Sequence, residues 1–413
     1  MKKKIYVVGG GTVAHSSCHL GLNAPAFGST ARTLMSLVQE HAPEMDAELV
    51  LTAMAGGNHN LQSPKDLAKL AENIVNDIST KIVFWSPAVC DFEMIVDADN
   101  LDKETNPKYS GRLDSKKEYN AKLIPNTEKV VDLFRKTRKD ITLVAFKTTC
   151  GATEDEQYLA GLNLLKKASA NLVLANDTLH RRNMIIVPEE ARYCVTNNRK
   201  EVLEELVKIA LLRSTLTFTR STVVAGNPCE WSSPLVPNAL REVVNYCVEK
   251  GAYKKFRGVT AGHFAVKLSE TKFLSSRRKT DLGDIKNVGL VLVETDGPDR
   301  VIAYGSKPSV GGQSQRIVFS DHPDFDSIVH FHCPKKENSL VPTISQKEYE
   351  CGSHECGKNT SNGLKSFGRL KAVFLDNHGP NVVFNSSDPG IAEEVKTFIE
   401  NNFDLSQKTG GLV

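Results

Sequence analysis

Long apolar runs are absent. No stretch approaches the roughly 18 residues of a membrane-spanning helix, so no membrane partner is expected. Charge of one sign is absent as well. The 413 residues carry 52 lysines and arginines against 49 aspartates and glutamates, a net charge of +3. That balance lacks the basic footprint of a nucleic-acid binder. Internal repeats and low-complexity tracts are missing too. So is the phosphate-loop pattern Gly-x-x-x-x-Gly-Lys-Ser/Thr. The N-terminal lysines run straight into the strand-like Ile5–Val8, with no apolar segment and cleavage site of the secretory kind. The nine cysteines are scattered and odd in number. Without a secretion signal they are read as reduced thiols of a cytoplasmic protein.

What is present suggests a globular chain of two to three domains. In the first half, β-rich runs alternate with amphipathic stretches. Ile5–Val8, Glu48–Thr52, Lys81–Trp85, Ile141–Phe146 and Asn171–Ala175 read as strands. Ser29–His41, Pro64–Ile78 and Glu154–Ala168 read as helices. That rhythm predicts an α/β fold with a parallel sheet covered by helices. A helix over Arg199–Arg213 closes this half, giving a domain over 1–213. Residues 214–236 are polar, contain Gly226-Asn-Pro and Trp231-Ser-Ser-Pro, and are predicted to be a linker. A second domain over 237–413 opens with a helix, Pro237–Lys250. It continues through short strands to helices near 355–366 and 389–402.

The strongest chemical signal is Asp326-Ser-Ile-Val-His330-Phe-His332. On a strand, residues i and i+2 share a face, so both imidazoles can turn to one metal ion. His378, in Asn377-His378-Gly379, follows another strand-like run. Three histidines with an open position form the pattern of a catalytic zinc site, and imidazole also suits neighbouring divalent transition metals. The alternative is histidines without a metal. In the first half, Gly9-Gly10-Gly11-Thr12 follows the first strand. Such a turn either lets the backbone approach a phosphate or is simply tight. The glycines are adjacent, unlike the spaced dinucleotide fingerprint.

Several ordered segments of the first half resemble the phosphopantothenate–cysteine ligase family of coenzyme A synthesis. They are Val-Gly-Gly-Gly-Thr, Ser86-Pro-Ala-Val-Cys-Asp91-Phe, Ser110-Gly-Arg112-Leu-Asp-Ser115, Leu123-Ile-Pro-Asn126-Thr, Leu143-Val-Ala-Phe146-Lys-Thr-Thr and Leu174-Ala-Asn176-Asp177. The resemblance implies a Rossmann-like sheet that activates a carboxylate with a nucleoside triphosphate and Mg2+. It assigns Arg112 to a cationic catalytic position where the family has lysine, and Asn23 to the asparagine that handles the intermediate. Gly9, Gly10, Gly11, Thr12, Phe146, Lys147, Ala175, Asn176 and Asp177 would border the nucleotide. Asp91 and Asp177 are either magnesium contacts or turn formers.

From about Leu235 onward the chain resembles the class II aldolase/adducin family. Its motifs are Ala239-Leu-Arg-Glu-Val-Val-Asn-Tyr, Thr260-Ala-Gly-His263-Phe-Ala265-Val-Lys267, Leu292-Val-Glu-Thr-Asp296-Gly297, Lys307-Pro-Ser309, the His330 pair, Tyr349-Glu-Cys-Gly352-Ser353 and Asn377-His378-Gly379. An α/β/α domain is implied, with zinc or another divalent transition metal on His330, His332 and His378. A substrate phosphate would lie at His263, Ser275, Ser276 and Arg277. The family's acid/base glutamate falls on Gly311, and glycine moves no proton. Asp321, His322 or Glu355 are candidates to replace it. Cys333, Cys351, His354 and Cys356 raise a second zinc site against the simpler reading of buried thiols and a cap.

Together these readings describe a bifunctional metabolic enzyme. A ligase-like domain is fused to a zinc-dependent aldolase-, epimerase- or dehydratase-like domain acting on a phosphorylated small molecule. A homo-oligomer is expected. The rival is a catalytically degenerate, adducin-like metal-binding or assembly protein.

Overall fold

A computed structural model describes residues 3–97, 107–298, 300–309 and 312–409. The chain divides into two compact units. One comprises residues up to 188 together with 192–214. The other comprises 215–413 and takes in Glu189–Ala191.

The first unit is built on a seven-stranded sheet. Five strands are parallel, in the spatial order Asp46–Leu51, Lys4–Gly9, Thr80–Trp85, Thr142–Thr149, Leu172–Asp177. Asn183–Ile186 and Arg192–Thr196 extend it antiparallel. The central strands are buried on both faces, as parallel strands under helices must be. Ile5, Val7, Val8, Ile82, Val83 and Phe84 are fully buried. Each such side chain stabilises the fold by about 1.5–3 kcal/mol relative to exposure. The helices Ser29–His41, Glu154–Ala168 and Arg199–Arg213 have the predicted bounds. Pro64–Asn76 and Glu154–Ala168 start in capping boxes, Ser63 with Asp66 and Thr153 with Glu156, which satisfy otherwise orphaned N–H groups.

Two hairpins were not foreseen. Thr12–Ser17 pairs with Leu20–Ala24, and Phe92–Val96 with Ala121–Pro125. Both emerge at the C-terminal ends of the central strands Lys4–Gly9 and Thr80–Trp85. Thr12 ties their bases together: its hydroxyl donates to the Ala88 carbonyl at 3.1 Å and accepts from the Cys90 N–H at 2.8 Å.

The second unit is a three-layer α/β/α structure around a ten-stranded mixed sheet. Helices Asn238–Glu249 and Ile391–Asn402 pack together on one face, over Phe264, Val329, Val382 and Phe384. Helices Gly312–Asp321 and His354–Gly363 pack together on the other, where Ala265, Ile328, Val373 and Val383 meet Val318 and Phe319. Adjacent residues of one strand enter opposite cores, the period-2 alternation that both-face burial requires. The segment expected to be a linker is a correction. Its Arg220–Val224 is an edge strand parallel to Arg300–Tyr304, so residues 215–236 belong to the second unit. The β-branched run Thr222-Val-Val gives the physical reason. Among the described residues, no helix is long and apolar enough to cross a membrane.

Candidate metal centre

His330 ends the strand Ser327–His330, every residue of which is buried. Antiparallel partners flank it, placing His263 opposite on one side and Asn381 on the other. His332 follows two residues later. His378 sits in the short turn between strands Leu370–Leu375 and Gly379–Phe384, with its N–H bonded to the Leu375 carbonyl at 3.0 Å. Asn377 takes a left-handed φ of 54° in that turn, a conformation Asn tolerates. Gly379, just after His378, has φ 144°, and a Cβ there would lie 2.1 Å from the Phe331 carbonyl oxygen. Glycine therefore allows the turn to approach the histidine strand.

The structure brings His330, His332 and His378 together. All three are buried, and their candidate ligand nitrogens lie within 4.8 Å of one another. The Nε2 atoms of His330 and His378 are 3.2 Å apart. Two ligands about 2.0–2.1 Å from one tetrahedral zinc stand about 3.3–3.4 Å apart, so the spacing fits a shared ion. The His330 Nδ1–H donates to the Pro380 carbonyl at 2.7 Å. That bond leaves the Nε2 lone pair directed at the cluster, the usual outer support of a metal-binding histidine. Burial pushes His330 down to about 4, against the opposing pull of the Pro380 carbonyl. Burial, then the facing His330, pushes His263 well below its usual value. Both rings are neutral near pH 7, the form that binds metals. Among the described residues no carboxylate joins the cluster. Gly311 lies outside the described residues.

The expected phosphate seat is closed from within. The Ser275 hydroxyl donates to Gln315 Oε1 at 3.0 Å, and Gln315 Nε2 bonds His263 Nδ1 at 2.7 Å. Ser276 Oγ accepts the Phe264 N–H at 3.3 Å. Arg277 donates to Ser306 Oγ and to the Val288 carbonyl, both at 3.0 Å. These four residues serve the fold's own hydrogen bonds. Their neighbours are better placed to meet an anion. Arg278, Lys307 and Ser309 line a cavity of about 130 Å³ whose walls include Phe273, Val293 and Val301. Ser309 N–H bonds the Ser276 carbonyl at 2.8 Å, one step from the strand carrying His263.

The proton-transfer candidates are not brought to the triad. Gln315 touches His263, but Asp321 lies six residues further along the same helix, about 9 Å at 1.5 Å per residue. Asp321 pairs with Lys358 at 2.8 Å and accepts from Ser361 Oγ at 2.7 Å. Burial raises its carboxyl, but these partners outweigh burial and hold it below the usual range. His322 lies between Ser361 and Lys371. Glu355 accepts the Thr217 N–H at 3.0 and 3.2 Å. The second zinc cluster does not form either. Cys333 donates to the Ala252 carbonyl at 3.3 Å in the opposite core, and His354 bonds Thr219 Oγ1 at 3.0 Å.

In the first unit the glycine turn is no open cradle. Cβ atoms at Gly9, Gly10 and Gly11 would meet Ala31, Thr52 and the Ala24 carbonyl at 2.5, 2.1 and 2.3 Å. Thr12 is buried between the hairpins. Asp177 accepts N–H groups from Gly151, Ala152, Leu179 and His180, besides the Thr149 hydroxyl. Those bonds, led by His180, hold its carboxyl far below the usual range. Asp177 thus organises this loop. Ala175 is buried, while Phe146, Lys147 and Asn176 are half-buried along the neighbouring strand ends. Lys147 Nζ donates to the Thr148 carbonyl at 2.9 Å. Asn23 is exposed on its hairpin, Arg112 is exposed, and Asp91 pairs with Lys129 at 2.7 Å. Gln315 and the Pro380 carbonyl were missed from sequence. A mid-helix glutamine and a main-chain oxygen carry no motif.

No family model and no curated protein matches the sequence. Solved structures similar to the chain fall into two sets. The N-terminal half matches the DNA/pantothenate metabolism flavoprotein from Streptococcus pneumoniae, at 18% identity over 50% of this chain and 97% of that one, with a TM-score of 0.41. It also matches the C-terminal domain of a coenzyme A biosynthesis bifunctional protein, at 16% identity over 51% and 95%, with a TM-score of 0.36. The other half matches L-fuculose-1-phosphate aldolase from Thermus thermophilus, at 18% identity over 40% and 91%, with a TM-score of 0.30. The two resemblances read from the sequence recur among these structures, half by half.

Proposed function

We propose that the second unit is a metal-dependent lyase, epimerase or dehydratase centre for a small phosphorylated or carboxylated molecule. The supporting observation is the convergence of three buried imidazoles, two with Nε2 atoms 3.2 Å apart. A zinc or similar divalent ion held there supplies Lewis acidity toward a carbonyl or enediolate oxygen. His330, His332 and His378 hold the ion, and the Pro380 carbonyl sets the His330 tautomer. Arg278 and Lys307, which line a cavity with Phe273, Val293 and Val301, offer charge to the substrate's anionic group. Purified protein is expected to retain one metal equivalent per chain, and His330→Ala to lose most of it. Equal metal content in the two proteins would refute the site.

For the first unit the proposed role is nucleotide-dependent activation of a carboxylate. Its support is the strand order, which reverses direction between Lys4–Gly9 and Thr80–Trp85. Doubly wound sheets bind ligands in the crevice at that switch point, beyond the strand C-termini. Nucleoside triphosphates with candidate acids should release pyrophosphate or form an acyl adduct. Absence of nucleotide binding at millimolar concentration sinks this reading. The closed Ser275–Gln315–His263 network favours a second possibility for the other unit, a non-catalytic metal-binding or assembly domain. Turnover of any substrate that depends on the three histidines excludes it.

A further inference from the structure

Sulfur chemistry concentrates at the entrance to helix His354–Gly363. Cys351 and Cys356 flank the turn leading into it, where Gly352 has φ 90° and Ser353 caps the helix by accepting the Cys356 N–H at 3.0 Å. Cys356 thus lies in the first helical turn, where the helix dipole favours negative charge. Three donors face its sulfur: the Cys351 thiol, Gln346 Nε2 at 3.4 Å and Ser314 Oγ at 3.8 Å. The bond from Cys351, aided by Gln346 and Ser314, draws the Cys356 thiol below its usual value despite burial. The same bond first, then burial, lifts Cys351 well above its own. The two thiols are thus joined by a hydrogen bond, with Cys351 as the donor and Cys356 as the acceptor. The other buried pair behaves differently. Burial lifts Cys247, and it lifts Cys333 to about 12, so both remain inert thiols.

We propose that Cys351 and Cys356 form a redox-active dithiol that a hydroperoxide closes into an intramolecular disulfide. The Cys356 thiolate attacks one peroxide oxygen and the O–O bond breaks. The departing hydroxide takes a proton and leaves as water, and Cys356 becomes a sulfenic acid. The Cys351 sulfur then attacks the Cys356 sulfur. The S–O bond breaks, and its oxygen leaves as a second water carrying the Cys351 proton. Two thiols and one peroxide give one disulfide and two waters. The peroxide is reduced, and a thiol reductant reverses the change. The buried Cys356 admits only a small oxidant, which is why hydrogen peroxide is the probe. Closing the disulfide takes the Cys356 sulfur from Gln346 and from Ser314, the residue beside Gln315.

Trypsin releases Glu348–Lys358, a peptide containing these two cysteines and no others. The full chain is treated with hydrogen peroxide, quenched, denatured, alkylated without reductant, digested and weighed. The expected peptide carries no alkyl group and is lighter than its fully reduced, unalkylated form by two hydrogens. Dithiothreitol before alkylation restores both alkyl groups. In Cys351→Ser, Cys356 should be trapped by dimedone as a sulfenic acid. If Glu348–Lys358 keeps both alkyl groups while the exposed Cys18 and Cys150 become oxidised, the proposal is overturned. Linkage of the peptide to a different cysteine overturns it equally. The readout is independent of metal and of catalysis.

Discussion

At the residue scale, burial decides protonation, and the histidines show it most directly. Burial lowers the pKa of His330 from its ordinary 6.5 in the unfolded chain to about 4 in the fold. Between those values the unfolded state binds more protons, so stability falls as pH falls through that window and is level above it. The shift corresponds to about 3 kcal/mol for this one side chain. Urea titrations of metal-stripped protein should show that loss between about pH 6.5 and pH 4, with His263 adding to it. A flat profile over that range would contradict the buried neutral pair. The same scale explains what sequence could and could not reveal. The convergence of His330 and His332 was legible from their i, i+2 spacing, although the strand ends at His330 and His332 lies just beyond it. Asp177 was not, since the same aspartate at a strand end fits either a cation or the four N–H groups that claim it here. Nor were Ser275 and Ser276, whose hydroxyls looked available until Gln315 and Phe264 were seen to use them.

At the scale of elements, the turn carrying His378 depends on a residue without a side chain. A methyl at position 379 meets a backbone oxygen that cannot swing aside, and φ 144° is almost closed to other residues. Gly379→Ala should therefore cost about 1–3 kcal/mol in chemical denaturation. It should also weaken metal retention, by shifting His378 relative to His330. Unchanged metal affinity in a folded variant would separate the turn from the site. Helices were the easiest elements to read, because periodicity and caps such as Thr153 with Glu156 are local. The hairpins over 12–24 and 92–125 were harder. Their strands are short and half-exposed, with Phe92, Ile95 and Leu123 facing out. The edge strand Arg220–Val224 was hidden by the polar, turn-rich residues around it.

At the scale of the whole molecule, the chain carries two compact units, each with its own large sheet and buried residues. The triad lies wholly within one of them. Calorimetry should resolve two transitions, and a chelator should lower the melting temperature of one while leaving the other in place. An ion bound only by the native state stabilises by mass action, so the size of that shift reports its affinity. A single transition that moves as a block under chelation would contradict this independence. The division into halves was legible from the change of strand and helix rhythm. Its boundary was not, because which sheet claims residues 215–236 depends on a pairing with Arg300–Tyr304, some 80 positions away.

The acceptor that orients His330 is a main-chain oxygen, and it belongs to a proline at the start of a sheet strand. No point mutation can delete it, because every substitution at 380 keeps a carbonyl. The ring's tautomer is therefore inherited from the sheet. Substitutions in the cavity lining, Arg278 and Lys307 included, leave that orientation of His330 in place.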